Sequence, residues 1–354
     1  VTAIRALTAT PLDARLKKPF GIAGGAQEVA RNVLLRLELD DGTVGYGEAA
    51  PFPAFNGETQ ETTLAALEEV RGDVVGEREI LVRCSVGAAQ CALEMALADA
   101  RARQKGEPIF PHEDRRLLTD VTIPIGALDE CTADARAWAA RGFTRLKVKI
   151  GGGSAEDALL RVLAVHRGAP RAELLLDGNA GMTANEAIAL VGQLASRGVS
   201  PILFEQPVAK DDFDGLVEVA RTTGVLVAAD ESAASLADVE RLAKLRPLVI
   251  NVKPMKYGFR EALAIHRCAR ANGLGLMIGG MVEGRMSMSA SACFAAALGG
   301  FDYVDLDTPL FFADEPFEGG FAQRGAELDL STIRAGHGTT PARILADSAS
   351  ATDQ

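Results

Sequence analysis

Lysines and carboxylates stand at the ends of successive short apolar runs. Lys147 and Lys149 alternate with Leu146, Val148 and Ile150, and Asp177, Glu205, Asp230 and Lys253 then close four later runs. Residues i and i+2 of a strand share a face, so both lysines point one way if the aliphatic residues point the other. Taken singly, each acid reads as a solvated loop residue or a helix N-cap, and a Lys-x-Lys pair as a solvated edge. Their regular placement carries more. Three carboxylates converging on one cavity repel each other and stay ionised only around a hard divalent cation. Carboxylate oxygens suit Mg²⁺, which needs few protein ligands. Cysteine and histidine are missing from these positions, against zinc. Amines on both sides of such an ion suit a 1,1-proton transfer. One takes the α-proton of a carbon acid, the other returns a proton to the opposite face, and the ion holds the charge between.

The positioning elements follow from the rhythm of the chain. Apolar runs at 121–125, 145–150, 173–176, 201–204, 226–229, 248–252, 274–278 and 303–304 alternate with helical patterns at 155–167, 184–197, 213–222, 235–245, 260–272 and 286–298. Most repeats take about 23 to 30 residues, the size of a βα unit. Near-continuous apolar strands belong to a parallel sheet covered on its faces, and eight of them suggest a barrel with its active site at the C-terminal strand ends. The segment before 121 reads differently. Runs at 1–7, 33–39 and 44–48, with an Asp41-Gly42 turn, suggest an antiparallel sheet. Helices are expected at 58–75 and 87–105, and Gly- and Pro-containing loops at 17–25 and 50–57 as possible covers for a site. The glycine-rich tail after Pro309 is expected to return to this first unit.

The chain has 354 residues and a net charge of −11, which argues against nucleic acid or an anionic membrane as partner. Its five cysteines are scattered without a CxxC pair, as expected of small core residues in a reduced, cytoplasmic protein. No signal peptide is visible, and no apolar stretch approaches the roughly 20 residues that span a bilayer. Gly151-Gly152-Gly153 lacks a following Lys-Ser/Thr and reads as a plain βα turn. His112, His166, His266 and His337 occupy no strand end.

Together, Lys147-Val148-Lys149, Asp177-Gly178-Asn179, Phe204-Glu205-Gln206-Pro207, Ala229-Asp230-Glu231-Ser232 and Ile250-Asn251-Val252-Lys253 resemble the muconate-lactonizing subgroup of the enolase superfamily. The resemblance spans nearly the whole chain. It implies an α/β fold: a modified (β/α)₇β TIM-type barrel at 121–314 under an α+β capping domain at 1–120, completed by a C-terminal segment at about 315–354. It implies Asp177, Glu205 and Asp230 as Mg²⁺ ligands, Lys149 and Lys253 as the acid/base pair, and Lys147 as a partner of the substrate carboxylate. Where the family usually continues to Lys-x-Gly-Gly, this chain has Lys256-Tyr257-Gly258-Phe259.

Asp305 and Asp307 share a face of the last strand and could receive a cation. They resemble the Asp-x-Asp motif of dipeptide epimerases, which implies that they hold a substrate α-ammonium. The C-terminal residue would then have its α-carbon between Lys149 and Lys253. The glutamate-specific members of that group carry an Arg in the first loop, where this chain has Gly24 and Gly25. An apolar or cationic second side chain is therefore expected against Phe20, Ile22, Phe52 and Phe55, with Met281 lining the same cavity and no role assigned to Glu283. The expected partner is thus a small dipeptide, with a homo-oligomer possible. Alternatives within the subgroup are an N-acyl amino acid racemase, an o-succinylbenzoate synthase or a cycloisomerase, none of which needs Asp305 and Asp307. A more distant alternative is a barrel that binds a small ligand without turnover.

Overall fold

The computed structural model describes residues 2–22, 25–113, 116–245 and 248–342, with backbone alone at 22, 25 and 26. Strands β1 (Ile4–Ile22) and β2 (Gly25–Leu39) pair antiparallel, and β3 (Val44–Ala49) adds to β2. The Asp41-Gly42 turn forms as expected, with Gly42 at φ +84°, a conformation that needs no Cβ. The stretch at 17–22 is no loop: it extends the β1–β2 pair. The register slips between Arg15 and Phe20, so Pro19 falls where no ladder hydrogen bond is required, and its presence does not end the strand.

Short helix α1 (Pro53–Asn56) occupies the second expected loop, followed by α2 (Gln60–Val74) and α3 (Gly87–Lys105). The alanine-rich face of α3 lies directly on β3. A Cβ at Gly45 would fall 2.1 Å from the Ala96 carbonyl oxygen, and one at Gly47 would fall 2.1 Å from that of Ala92. Glycine on the strand and alanine on the helix permit this close approach.

Strand β4 (Arg116–Leu118) precedes the barrel. The parallel strands are β5 (Val121–Ile123), β6 (Arg145–Lys149), β7 (Glu173–Asp177), β8 (Leu203–Glu205), β9 (Leu226–Ala229), β10 (Val249–Val252), β11 (Gly275–Ile278) and β12 (Tyr303–Val304), neighbours in sequence order. The Asp120 N–H donates to the Val304 carbonyl and the Leu306 N–H to the Thr119 hydroxyl, both at 2.9 Å, so the first strand meets the last. Helices α4 (Leu128–Ala140), α5 (Ala155–Gly168), α6 (Ala184–Ala195), α7 (Phe213–Thr223), α8 (Leu236–Leu242), α9 (Phe259–Ala271) and α10 (Arg285–Leu298) alternate with them. Helix α4 has no counterpart in the sequence pattern, because it buries only Cys131 and Ala135, too thin a stripe to show a period.

The two faces of the barrel strands separate cleanly. Leu175, Leu203, Ala228, Val249, Met277 and Tyr303 form an inner cluster of their own, while Leu174, Leu176, Phe204, Val227, Ile250 and Ile278 join the core under the helices. Counting on by two from the inner residues reaches Asp177, Glu205, Asp230, Lys253 and Asp305. The chain then returns through β13 (Phe317–Gly319), β14 (Ala322–Arg324), β15 (Glu327–Asp329) and β16 (Thr339–Pro341). β15 pairs with β4, the Ile109 N–H donates to the Gly336 carbonyl at 2.8 Å, and Arg103 reaches the Thr339 carbonyl at 2.8 Å. The tail thus meets residues of the N-terminal unit; the part of the expected segment after 342 lies outside the described residues.

Candidate active site

Register brings the strand-end residues into one row. Lys149 on β6 lies opposite Asp177 on β7, which lies opposite Glu205 on β8. Asp230 follows β9 and Lys253 follows β10, so the three acids occupy consecutive strands with a lysine strand on each flank. All five side chains are buried, as is Lys147. The acids are not helix caps: Ser154, Thr183, Asp212 and Ser235 cap α5 to α8 instead.

The ammonium groups lie among the carboxylates. Lys149 Nζ is 2.6 Å from Asp177 Oδ2, and Lys253 Nζ is 2.6 Å from Asp230 Oδ2. Lys147 Nζ stands 2.7 Å from Glu205 Oε2, 3.1 Å from Asp177 and 2.7 Å from Asp305. Burial alone would raise Asp177, but Lys149 and Lys147 hold it down to about 2. Lys253 and Lys256 likewise outweigh burial and hold Asp230 below the usual carboxylate range. Burial would lower Lys253, yet Asp230 and Glu205 raise it. Glu205 goes the other way, pushed up to about 7 by burial and then by the charge of Asp177.

Several contributors are absent from the sequence-based set. Lys256 turns inward, and its Nζ donates to the Asp230 carbonyl at 2.9 Å and to Asp230 Oδ1, the Ala233 carbonyl and the Asn251 carbonyl at 3.1 Å. The segment that departs from the family pattern is therefore a tight turn folded beneath Asp230, and the Tyr257 hydroxyl accepts the Lys253 N–H at 3.3 Å. Asn251 Nδ2 donates to Glu205 Oε1 at 2.7 Å. Gln206 sits at φ +32°, a costly backbone for a side chain with a Cβ. Its amide oxygen accepts the N–H groups of Asp230 and Ser232, tying the ends of β8 and β9 together. The signal for Asn251 and Gln206 lay in the motifs themselves; nothing in the spacing marked Lys256.

Above these groups lies a cavity lined by Lys147, Lys149, Lys253, Asp305 and Asp307 together with Phe20, Phe52, Phe55 and Met281. The Lys253 ammonium faces the Phe55 ring at 5.2 Å. Phe20 comes from β1 and Phe52 and Phe55 from the α1 segment, so the N-terminal unit roofs the barrel mouth. The side chain of Ile22, expected beside them, lies outside the described residues. Glu283 accepts the Met281 N–H at 2.7 Å and the Ser287 hydroxyl, and so braces the loop that presents Met281. None of the four histidines lines the cavity.

The donor set fits a hard divalent ion. Asp177, Glu205 and Asp230 offer oxygen alone, and Glu205 Oε2 is met only by the Lys147 ammonium at 2.7 Å. The carboxylates of Asp120, Asp305 and Asp307 lie within 4.8 Å of one another, the one such trio among the described residues. In Asp177, Glu205 and Asp230 the lysines stand between the acids instead.

Comparison with known proteins places the whole chain in a family. Residues 4–111 match the family described as mandelate racemase / muconate lactonizing enzyme, N-terminal domain, and residues 130–344 match the enolase C-terminal domain-like family. An aromatic dipeptide epimerase of Herpetosiphon aurantiacus is 45% identical, over 95% of this chain and 98% of that one. A hydrophobic dipeptide epimerase of Citrifermentans bemidjiense is 41% identical, over 96% and 98%. The structure of a dipeptide epimerase of Enterococcus faecalis complexed with Mg and L-Leu-L-Tyr superposes with a TM-score of 0.88 at 29% identity, over 96% of this chain and 99% of that one. By its two matched domains, its eight-stranded barrel and its capping unit, the chain belongs to the mandelate racemase/muconate lactonizing enzymes of the enolase superfamily.

Proposed function

We propose that this protein is a Mg²⁺-dependent dipeptide epimerase, an isomerase that inverts the α-carbon of the C-terminal residue by two-base proton transfer. The observation that carries the reading is one cavity with Lys149 and Lys253 on its two flanks and the acid pair Asp305 and Asp307 in its wall. Asp177, Glu205 and Asp230 would hold the ion. When bound, Mg²⁺ supplies positive charge for the substrate carboxylate and for the negative charge that grows there as the α-proton leaves. Lys147 adds a second cation on that side. Lys149 and Lys253 exchange the proton, the neutral one taking it and the charged one returning it. Asp305 and Asp307 receive the substrate ammonium, and burial and the Asp305 charge, which push Asp307 up to about 7, mark a pocket short of positive charge. The similarity to the Enterococcus faecalis protein, whose structure holds Mg and a dipeptide, supports both the ion and the substrate class.

The second side chain of the dipeptide rests against Phe20, Phe52, Phe55 and Met281 and is apolar or aromatic. The names of the Herpetosiphon aurantiacus and Citrifermentans bemidjiense relatives support this class. A dipeptide panel incubated in D₂O with Mg²⁺ tests the whole reading by mass spectrometry. One α-carbon should gain deuterium, and dipeptides ending in apolar or aromatic residues should exceed Ala-Glu in kcat/KM by about tenfold or more. Exchange without added metal after chelation, or Ala-Glu as the preferred substrate, would refute it.

For the domain division, a capping unit of 1–120 with the C-terminal segment and a catalytic unit of 121–314, support comes from the hydrogen bond of Ile109 to Gly336. No helix among the described residues is long and apolar enough to cross a membrane. All five cysteines are free thiols, which suits the reducing cytoplasm we assign it to.

A further inference from the structure

Asp120 is the one acid of the buried trio that neither the sequence motifs nor the proposed reaction uses. It lies beside the seam where β5 meets β12, its backbone N–H bonded to the Val304 carbonyl. Val121 and Ile123 belong to the core under the helices, so by alternation Asp120 and Thr122 face inward. The residue is 1% exposed, no N–H or hydroxyl donor of another side chain or backbone group reaches either carboxylate oxygen, and burial followed by the charges of Asp305 and Asp307 pushes its carboxyl well above the usual range. One oxygen lies within 4.8 Å of the carboxylates of Asp305 and Asp307. Those two line the cavity, whereas Asp120 does not. A buried carboxylate without donors is costly, and an uncompensated one beside two others is costlier. The nearest compensation, Lys147, is already shared by Asp305, Glu205 and Asp177. An ammonium arriving at Asp305 and Asp307 would supply the missing charge.

We infer that Asp120 is a positioning residue for the ammonium site: a third carboxylate behind Asp305 and Asp307 that makes this end of the cavity demand a cation, and so sets the discrimination of free against blocked peptide N-termini. This rests on the dipeptide epimerase reading. Asp120 acts through its neighbours and touches no substrate atom.

Asp120→Asn keeps the shape and removes the carboxyl that could ionise when an ammonium arrives. It should raise KM for an apolar dipeptide such as Ala-Phe by about tenfold while kcat stays within about threefold. The inhibition constant of N-acetyl-Ala-Phe should stay the same or fall, so the preference for the free amine collapses. Equal weakening of both ligands would mean a merely structural role and would overturn the inference, as would no change in either. So would a second bound Mg²⁺ in the wild type, seen by titration calorimetry, that Asp120→Asn loses. If the Asn variant does not fold, Asp120→Ser replaces it under the same criteria. A wild type that exchanges no dipeptide α-proton refutes the epimerase reading and this inference together. An active wild type whose discrimination survives in Asp120→Asn refutes this inference alone.

Discussion

Lys149→Ala and Lys253→Ala should each lower epimerisation by about 10⁴-fold, the upper end of what one general acid/base group contributes. Neither lysine can do the other's task, because each stands on its own flank of the three acid strands, on β6 and after β10. Inversion needs one amine free and one protonated on opposite faces of the carbon. Removing either breaks both directions of the reaction, yet it leaves one face served. Lys253→Ala should therefore still exchange the α-proton of one stereoisomer with D₂O, and Lys149→Ala that of the other. Neither variant should yield the inverted product. Proton NMR of each pure isomer in D₂O reads exchange and inversion separately. A loss of only a few fold would remove the two-base mechanism, and so would both variants exchanging the same isomer.

The site was legible in the sequence where one strong rule applied. Alternation within strands placed Lys147 and Lys149 together, and it also ordered Asp177, Glu205 and Asp230, because the barrel interior is built by counting in twos. Where neighbours decide, the sequence was silent. Asp120 precedes a strand that reads as plainly apolar, and only closure of the barrel brings it to Asp305 and Asp307. Lys256 is one more lysine in a loop until the turn after Pro254 folds it beneath Asp230. The long β1–β2 pair was hidden by Lys17-Lys18-Pro19, since local composition marks a loop while tertiary pairing carries the strand across a slip in register. Helix α4 was hidden for the opposite reason, a lack of apolar stripe, because it buries so little.

Asp230→Asn should destabilise the metal-free protein by roughly 3–5 kcal/mol, the usual cost of leaving a buried charge without its partner. The wild-type carboxylate serves two buried ammonium groups, Lys253 at 2.6 Å and Lys256 at 3.1 Å. The amide keeps the volume and the bond from its own backbone N–H to Gln206 but removes the charge both lysines face. Urea unfolding in the presence of a chelator should show a lower midpoint at an unchanged slope. The pH dependence has a definite sign. The folded pKa of Asp230 lies below its ordinary value of 3.8, so its contribution is complete above about pH 4 and fades as pH falls through the folded pKa. The difference between wild type and variant should therefore be full at neutral pH and shrink in acid. Magnesium adds a second contrast, since an ion bound only by the folded state raises stability with its concentration. Wild type should gain from added Mg²⁺, while Asp230→Asn should gain little and show no epimerisation. A variant as stable as the wild type under chelation would mean that Lys253 and Lys256 do not depend on this carboxylate. Equal stabilisation of both proteins by Mg²⁺ would place the ion elsewhere, with the acid cluster around Asp305 the first position to examine.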